Sequence, residues 1–166
     1  AAMPNGTLPR FNDDTGVALG RADVYETAFA QLGDPRLAGP LRHGRRQTYR
    51  TLLYGAPALP PEAPARTGPR LMLDSGYAIL APPGDDTAWA CLKFGRHGGD
   101  HGHLDKNGLV AYASGAMLFD DPGVGPYLTE LADGWYAATV AHNTVTADQR
   151  SQRPATGSRS EEHTSE

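Results

Sequence analysis

The sequence predicts an α+β chain made of two separate units, with helices first and an antiparallel sheet after them. Before residue 57 the apolar residues recur at helical spacing, whereas after residue 69 they fall in short runs bounded by Gly, Pro or Asp. The stretch between them, 57–69, is rich in Pro and Ala and is typical of an extended, semi-rigid linker. Successive helices followed by successive strands are typical of α+β proteins or of separate domains.

The composition argues against a nucleic-acid-binding protein and against a membrane-spanning one. The chain has 166 residues and a formal net charge of -4, without a basic stripe, so a nucleic-acid partner is not expected. No apolar run approaches the roughly 20 residues that a membrane-spanning helix needs, so membrane insertion is not expected either. The single cysteine, Cys91, excludes a disulfide within the chain.

Three short helices are predicted before the linker, over 20–32, 34–43 and 47–54. In the first, Val24, Ala28 and Leu32 recur at i, i+4 and i+8 and predict an apolar stripe. Gly33 is a natural stop, and Asp34 followed by a proline is typical of a cap and first residue of the next helix. Short helices joined by tight turns fit the end of a solenoid or toroid better than an isolated bundle.

Six short strands are predicted after the linker, over 70–74, 77–82, 87–94, 108–114, 116–120 and 141–147. Ser114 and Gly115 lie between two of these runs and predict a two-residue hairpin turn.

The last eight residues, 159–166, have no apolar member and match, codon by codon, a sequencing adapter translated in frame. These residues, His163 included, are therefore not expected to contribute to the fold or the function, and the natural protein is expected to continue beyond this point. Since residue 1 is not a methionine and no processing signal precedes it, the start is expected to be truncated as well. The predicted organisation is a helical unit over 1–56, the linker 57–69, a sheet unit over 70–158 and the adapter.

The segment HGGDHGHLD, 97–105, carries the densest chemistry. His101, His103 and Asp105 are two residues apart and would point to one side of an extended chain. His142 lies later, inside an apolar run. Two histidines and a carboxylate suit Zn²⁺ with one position open to water, or non-haem iron. A lone histidine in an apolar run is more often a core residue with its hydrogen bonds satisfied. A metal site is therefore indicated by the combination of His142 with the histidines and the aspartate of 97–105, and not by His142 alone.

Three blocks of the sequence belong together: HGHLDK at 101–106, LFDDPG at 118–123 and WYAATVAHNTV at 135–145. Their combination resembles the β-domain signature of the heparinase II/III-like polysaccharide lyases. LPRFNDDTG at 8–16 resembles a segment near the end of the helical domain in the alginate-lyase members. The resemblance covers nearly all of 5–153. It implies a multidomain fragment that contains the C-terminal end of an incomplete α/α toroid, followed by the start of an antiparallel β-sandwich domain.

The resemblance also implies site residues. His101 matches a histidine that faces the substrate and is the candidate catalytic residue. His103, Asp121 and His142 match the ligands of a zinc that is regarded as structural in the family, with Asp120 as the near alternative to Asp121. The tyrosine that serves as catalytic acid, and an Asn/His pair of the toroid, precede residue 1 in the family's order.

Five further residues are candidates for contact with an anionic polysaccharide: Asn12, Asp13, Arg96, Lys106 and Tyr136. The resemblance implies a site in the cleft between the toroid and the β-domain, which Asn12 and Asp13 would line. Arg96 and Lys106 would bind carboxylates, and Tyr136 would stack on a sugar ring, as Trp135 would. Blander roles stay open for each of them. Asp14 or Thr15 could cap a helix, the cations could be solvated surface charges, and the aromatic rings could pack in the core.

The function expected from the resemblance is β-elimination at a uronic acid, with alginate as the first substrate and heparin or heparan sulfate as the second. A periplasmic or cell-envelope location is expected, with the cytoplasm as the alternative. Three other classes remain open. A zinc hydrolase with an HxHxD motif is opposed by Lys106, which stands where its next metal ligand would be. A cupin-type oxygenase leaves the helices unexplained, and a non-catalytic carbohydrate-binding sandwich leaves the histidine pair without a role.

Overall fold

The computed structural model describes residues 3–5, 7–14, 22–44, 46–61, 68–84 and 87–157. Its helices are α1 (Ala22–Leu32), α2 (Ala38–His43) and α3 (Tyr49–Tyr54), and its strands are β1 (Arg70–Met72), β2 (Tyr77–Leu80), β3 (Ala88–Lys93), β4 (Gly108–Ala113) and β5 (Ala116–Phe119). Short 3₁₀ turns cover Pro35–Leu37, Gly99–His101 and Thr139–Ala141, and a single π turn covers Ala132–Tyr136. The predicted order of helices before strands is confirmed.

The three predicted helices form, and local signals set their ends. Asp34 accepts a hydrogen bond from the backbone N–H of Arg36 at 2.9 Å, which caps the turn leading into α2. Thr48 caps α3 in the same way through the N–H of Thr51. Gly33 ends α1 with a φ of 63°, a left-handed conformation that favours glycine. Residues 20 and 21 of the first predicted helix lie outside the described residues.

The predicted apolar stripe of α1 is only partly buried. Val24 and Leu32, at its two ends, are 54% and 72% exposed, and the stripe residues between them are half-buried, whereas Glu26 is fully buried. Arg46 accounts for the burial of Glu26, because its Nε donates to Glu26 Oε1 at 2.6 Å and its Nη2 donates to the carbonyl of Ala56 at 3.0 Å. A buried carboxylate is tolerated when it is paired and hydrogen-bonded in this way.

The five strands form one antiparallel meander in the order β1-β2-β3-β4-β5. Ile79 lies opposite Cys91, and Cys91 lies opposite Val110, which places the three buried side chains in one row. Five of the predicted strands are therefore confirmed. The predicted hairpin turn is confirmed too, because Ser114 and Gly115 both have positive φ, as a type I′ turn requires.

The N-terminal segment, residues 3–5 and 7–14, packs on this sheet. Met3 and Phe11 are buried in one cluster with Ile79, Trp89 and Cys91. The ring of Phe11 lies 5.5 Å from that of Tyr77, centre to centre. The segment was predicted as part of the helical unit, yet its apolar residues cover one face of the sheet. This packing brings Asn12 and Asp13 to the loop that carries the histidines.

The predicted strand over 141–147 is wrong. The N–H of His142 bonds to the carbonyl of Thr139 at 3.1 Å and closes a 3₁₀ turn, so it joins no ladder. Asn143 offers only its carbonyl to the sheet, where it accepts from the N–H of Leu109 at 3.0 Å. The apolar run signalled burial correctly, but the side chain of His142 is buried from a turn and not from a strand.

The described residues contain one sheet, so the second layer of the sandwich stays a prediction, as do the toroid and the unit boundaries. Within the described ranges, no helix combines the length and apolar character needed to cross a lipid bilayer. Residues 62–67 of the predicted linker and 158–166 lie outside the described residues.

The turn between β1 and β2 generates a prediction on stability. A methyl group on Gly76 would lie 1.9 Å from the Cα of Gly95, and the backbone there has a φ of 70°. Gly115 has a similar φ of 80° but open space around it. We expect Gly115→Ala to cost only the backbone strain, about 1–2 kcal/mol. Gly76→Ala should cost roughly 1–3 kcal/mol more, because two backbones must separate.

Both free energies of unfolding can be measured by denaturant titration of the full chain, with the fluorescence of the buried Trp89 as the probe. Equal losses in the two variants would show that the contact between Gly76 and Gly95 does not constrain the fold.

Candidate active site and metal centre

The loop between β3 and β4 carries the histidine motif, and it does not run straight. A 3₁₀ turn at Gly99–His101 contains His101 and ends before His103. As a result the side chain of His101 is 76% exposed, whereas that of His103 is only 4% exposed. Gly102 permits the tight path, since a methyl group there would lie 2.5 Å from the backbone nitrogen of Gly98. The expectation that His101, His103 and Asp105 point to one side is therefore wrong.

Asp13 joins the two histidines. Its Oδ2 lies 2.6 Å from His101 Nδ1, and its Oδ1 lies 3.1 Å from His103 Nε2. The hydroxyl of Tyr127 donates to the same Oδ2 at 3.0 Å. Burial by itself raises the pKa of the Asp13 carboxyl, but hydrogen bonds from His101, Tyr127 and His103 outweigh it and lower the pKa. Asp13 is therefore ionised at neutral pH and accepts all three bonds.

Asp105 faces a different partner. Lys93 Nζ, at the end of β3, lies 2.6 and 2.7 Å from the two carboxylate oxygens of Asp105, and both side chains are buried. The same ammonium donates to the Asn12 side-chain oxygen, which also accepts from the backbone N–H of His103 at 3.3 Å. Asn12 thus ties the N-terminal segment to the sheet and to the histidine loop.

Asp121 and His142 form a second buried pair. His142 Nδ1 lies 2.8 Å from Asp121 Oδ2, and Asp121 Oδ1 accepts from the N–H of Gly123 at 3.0 Å. The rings of His103 and His142 lie 5.2 Å apart, centre to centre. His103 Nδ1 and His142 Nε2 are buried without any hydrogen-bond partner. Orphaned buried nitrogens are rare in folded proteins and indicate a missing acceptor of their lone pairs, such as a cation.

Asp105, Asp121 and His142 form a group that could hold a metal ion, since one potential ligand atom from each lies within 4.8 Å of the others. This group shares Asp121 and His142 with the predicted ligand set and has Asp105 where the prediction has His103. Burial lowers the pKa of His103, against the raising effect of Asp13, and so favours the neutral imidazole that metal coordination needs.

The remaining candidates are spread around this centre. Arg96 is exposed, and Tyr136 packs against Gly125, where a methyl group would meet its ring at 2.5 Å. Lys106 is only 9% exposed and its Nζ has no hydrogen-bond partner. Burial lowers the pKa of Lys106, and the nearby Lys93 adds to the effect. The structure thus leaves Arg96 accessible to a polymer and buries Lys106 beneath the surface.

Two residues of the site have no counterpart in the sequence prediction, Lys93 and Tyr127. Lys93 is the last residue of an otherwise apolar strand, and it lies at one of the alternate positions that face inward. A lysine at such a position could have been identified from the sequence as a buried charge. Tyr127 lies in a loop with no periodicity, and nothing in the sequence shows that its hydroxyl reaches a residue 114 positions away.

Comparison with known proteins adds to this geometry. Residues 64–164 match the family model described as "Heparinase II/III-like, C-terminal". The chain belongs to the heparinase II/III-like family. This is a family of polysaccharide lyases, and the matched part contains every predicted zinc ligand and His101. A search of curated protein sequences finds no significant match.

Solved structures of the same family share the fold. A crystal structure of heparinase III superposes with a TM-score of 0.70 at 17% identity, over 93% of this chain and 25% of that one. A heparan sulfate lyase, HepC from Pedobacter heparinus, gives a TM-score of 0.64 at 16% identity, over 90% of this chain and 22% of that one. The heparinase III that is the BT4657 gene product gives 0.64 at 22% identity, over the same shares. The chain thus spans about a quarter of the length of these proteins.

The buried ion pair at the centre of the site generates the second prediction. Lys93→Met leaves the Asp105 carboxylate buried and unpaired, and breaking a buried pair in this way costs about 3–5 kcal/mol. Removing both charges, in Lys93→Met/Asp105→Leu, should cost much less, because no uncompensated charge remains. The free energies of unfolding should be compared in the presence of a metal chelator.

Arg36→Met is the matched control, since it breaks an exposed ion pair with Asp34 and should cost less than about 1 kcal/mol. If the single and double variants at Lys93 and Asp105 lose the same free energy, the two side chains do not act as a pair.

Proposed function

We propose that this chain is part of a lyase that cleaves uronic-acid polysaccharides by β-elimination, with alginate as the first candidate substrate. The observation that supports this most is the pairing of the exposed His101 with the ionised Asp13, 2.6 Å apart. Because the carboxylate accepts from Nδ1, a neutral His101 has its lone pair on Nε2, and its side chain is 76% exposed. An exposed imidazole with a free lone pair is suited to act as a base on a polymer that lies across the site.

In the proposed reaction, the sugar carboxylate is neutralised so that the C5 proton becomes acidic. His101 Nε2 takes that proton, the electron pair forms the C4–C5 double bond, and the C4–O4 bond breaks. A general acid protonates the departing O4. The resemblance assigns that acid to a tyrosine that precedes residue 1 in the family's order. Arg96, exposed beside the motif, would meet the anionic chain.

Heparin or heparan sulfate is the second candidate, and the names of two structural neighbours, heparinase III and heparan sulfate lyase, favour it. The charges around the motif favour alginate. Arg96 is exposed, but Arg10 is paired with Asp120 and Lys106 is buried. A polymer with only carboxylates demands fewer cations than a sulfated one. A periplasmic or cell-envelope location fits an enzyme that acts on such polymers and is part of this proposal.

The lyase proposal is tested with the full-length gene product, recovered from the source DNA. It is incubated with alginate, heparan sulfate and a neutral glucan, and the ultraviolet absorbance of the C4–C5 double bond is followed. We expect a rise with alginate, none with the glucan, and a fall in rate of about 10²–10⁴-fold in His101→Ala, since a positioned base contributes about that much.

A rise with heparan sulfate alone would transfer the proposal to the second substrate class. Wild-type protein that yields reducing ends without the absorbance would be a hydrolase, and the lyase proposal would be wrong.

We further propose that His103, Asp121 and His142 hold a structural zinc. The two orphaned nitrogens belong to His103 and His142, and Asp105 is already neutralised by Lys93, which makes it the poorer ligand. When bound, the ion would supply a fixed positive charge that orders the loops after β3 and β5. Asp13 would then hold the other nitrogen of His103, as carboxylates often do for metal-binding histidines.

Zinc content measured by elemental analysis, together with the melting temperature before and after chelation, tests this assignment. Loss of even a supporting residue typically weakens metal affinity by about 10–100-fold, so His103→Ala and His142→Ala should each lose at least that much. His101→Ala is the matched control and should keep its zinc. If Lys93→Met/Asp105→Asn loses zinc while His103→Ala retains it, the ligand set is instead Asp105, Asp121 and His142.

A further inference from the structure

The carboxylate of Asp13 is almost fully occupied by protein groups. It accepts from His101, His103 and Tyr127, and its side chain is only 16% exposed. A carboxylate has about four lone-pair sites, so three of them are filled. The Asp13 carboxylate therefore has little capacity left to accept hydrogen bonds from sugar hydroxyls. Contact with the substrate was the role expected for Asp13 from the sequence. The side chain is instead directed at the histidines.

The bond to His101 fixes the identity of the protonated ring nitrogen. An ionised carboxylate can only accept, so Nδ1 of a neutral His101 must carry the hydrogen and Nε2 must be bare. A solvated imidazole without such a partner favours the opposite tautomer and turns freely about its side-chain bonds. Because His101 is 76% exposed, few other contacts restrain its ring.

Asp13 is itself rigidly placed. The adjacent Asn12 has a φ of 57°, in the left-handed region, and its side-chain oxygen is held by Lys93 and by the N–H of His103. Phe11 is buried in the core, and Arg10 is paired with Asp120. Successive residues of the segment are thus anchored to the sheet, the histidine loop and the loop after β5. A carboxylate held in this way can orient a mobile ring.

We propose that Asp13 is a positioning residue that holds His101 as the Nδ1–H tautomer, with Nε2 bare and directed at the substrate. The inference rests on the proposed function, in which His101 is the base. It adds to that function a positioning residue that lies 88 positions from His101 in the sequence. Asp13 acts through His101 and touches no reacting atom. Tyr127 has a secondary role, because its hydroxyl donates to Asp13.

The tautomer is read directly by nuclear magnetic resonance of the full-length protein labelled with ¹⁵N-histidine, in mildly alkaline buffer with zinc at saturation. The signals of His101 are assigned by their loss in His101→Ala. We expect a protonated Nδ1 and a bare Nε2 in the wild type, and a shift of the hydrogen to Nε2 in Asp13→Ala. Asp100→Asn is the matched control, since it removes an exposed carboxylate next to His101 and should change nothing.

The kinetic counterpart is a fall in kcat with little change in KM. A base in the wrong tautomer loses about 10²–10⁴-fold in rate, whereas binding of the polymer is unaffected. Asp13→Glu should restore part of kcat, and Tyr127→Phe should lower it less than Asp13→Ala does, since the tyrosine hydroxyl acts on His101 only through Asp13. Asp13→Asn preserves the shape of the side chain and serves if Asp13→Ala does not fold.

The two readouts separate this inference from the lyase proposal. If the wild type forms no unsaturated product, the lyase proposal fails, and the resonance experiment still decides whether Asp13 sets the tautomer. An unchanged tautomer in Asp13→Ala and Asp13→Asn would overturn the inference. So would a changed tautomer with an unchanged kcat in an active enzyme.

Discussion

The site depends on the docking of the N-terminal segment, residues 3–5 and 7–14, against one face of the sheet. Met3 and Phe11 supply the apolar part of that contact. Lys93 supplies the polar part, because its ammonium holds Asn12 and Asp105 together in the interior. Burial of apolar surface provides the driving force, whereas the lysine fixes the register, since a buried charge tolerates few arrangements. Asp13 reaches the histidines only because its neighbours are fixed in this way.

Two histidines of one short motif take opposite environments, and the turn between them is the reason. The 3₁₀ turn at Gly99–His101 directs His101 outward, and the close approach that Gly102 allows returns the chain to the interior at His103. The side chain of His101 is 76% exposed, so its ring is open to solvent. Burial lowers the pKa of the second ring and leaves its Nδ1 without a hydrogen-bond partner. One carboxylate, Asp13, holds the remaining nitrogen of each ring.

Local signals predicted most of the fold. Gly33, Asp34 and the pair Ser114–Gly115 act through backbone preferences that need no distant partner, and the elements they bound lie where predicted. The errors arose where a long-range polar contact decides the outcome. Glu26 turns inward because Arg46, twenty positions later, reaches it, and His142 is buried from a turn that no pattern of apolar residues distinguishes from a strand. For the same reason Asp13 could be named a site residue from a motif, but its partners could not.

The zinc ligands proposed above and the group whose potential ligand atoms lie within 4.8 Å of one another differ in one member, because that group has Asp105 in place of His103. Asp105 is already paired with the buried ammonium of Lys93, and a doubly charged ion on the same carboxylate would lie close to that positive charge. His103 pays no such cost, because its bond to Asp13 occupies Nε2 and leaves Nδ1 bare. Metal-binding histidines commonly donate their second nitrogen to a carboxylate, which fixes the ring and raises its basicity. Under the two proposals, the carboxylate that orients the exposed histidine is thus also the group that holds the second nitrogen of the proposed zinc ligand His103.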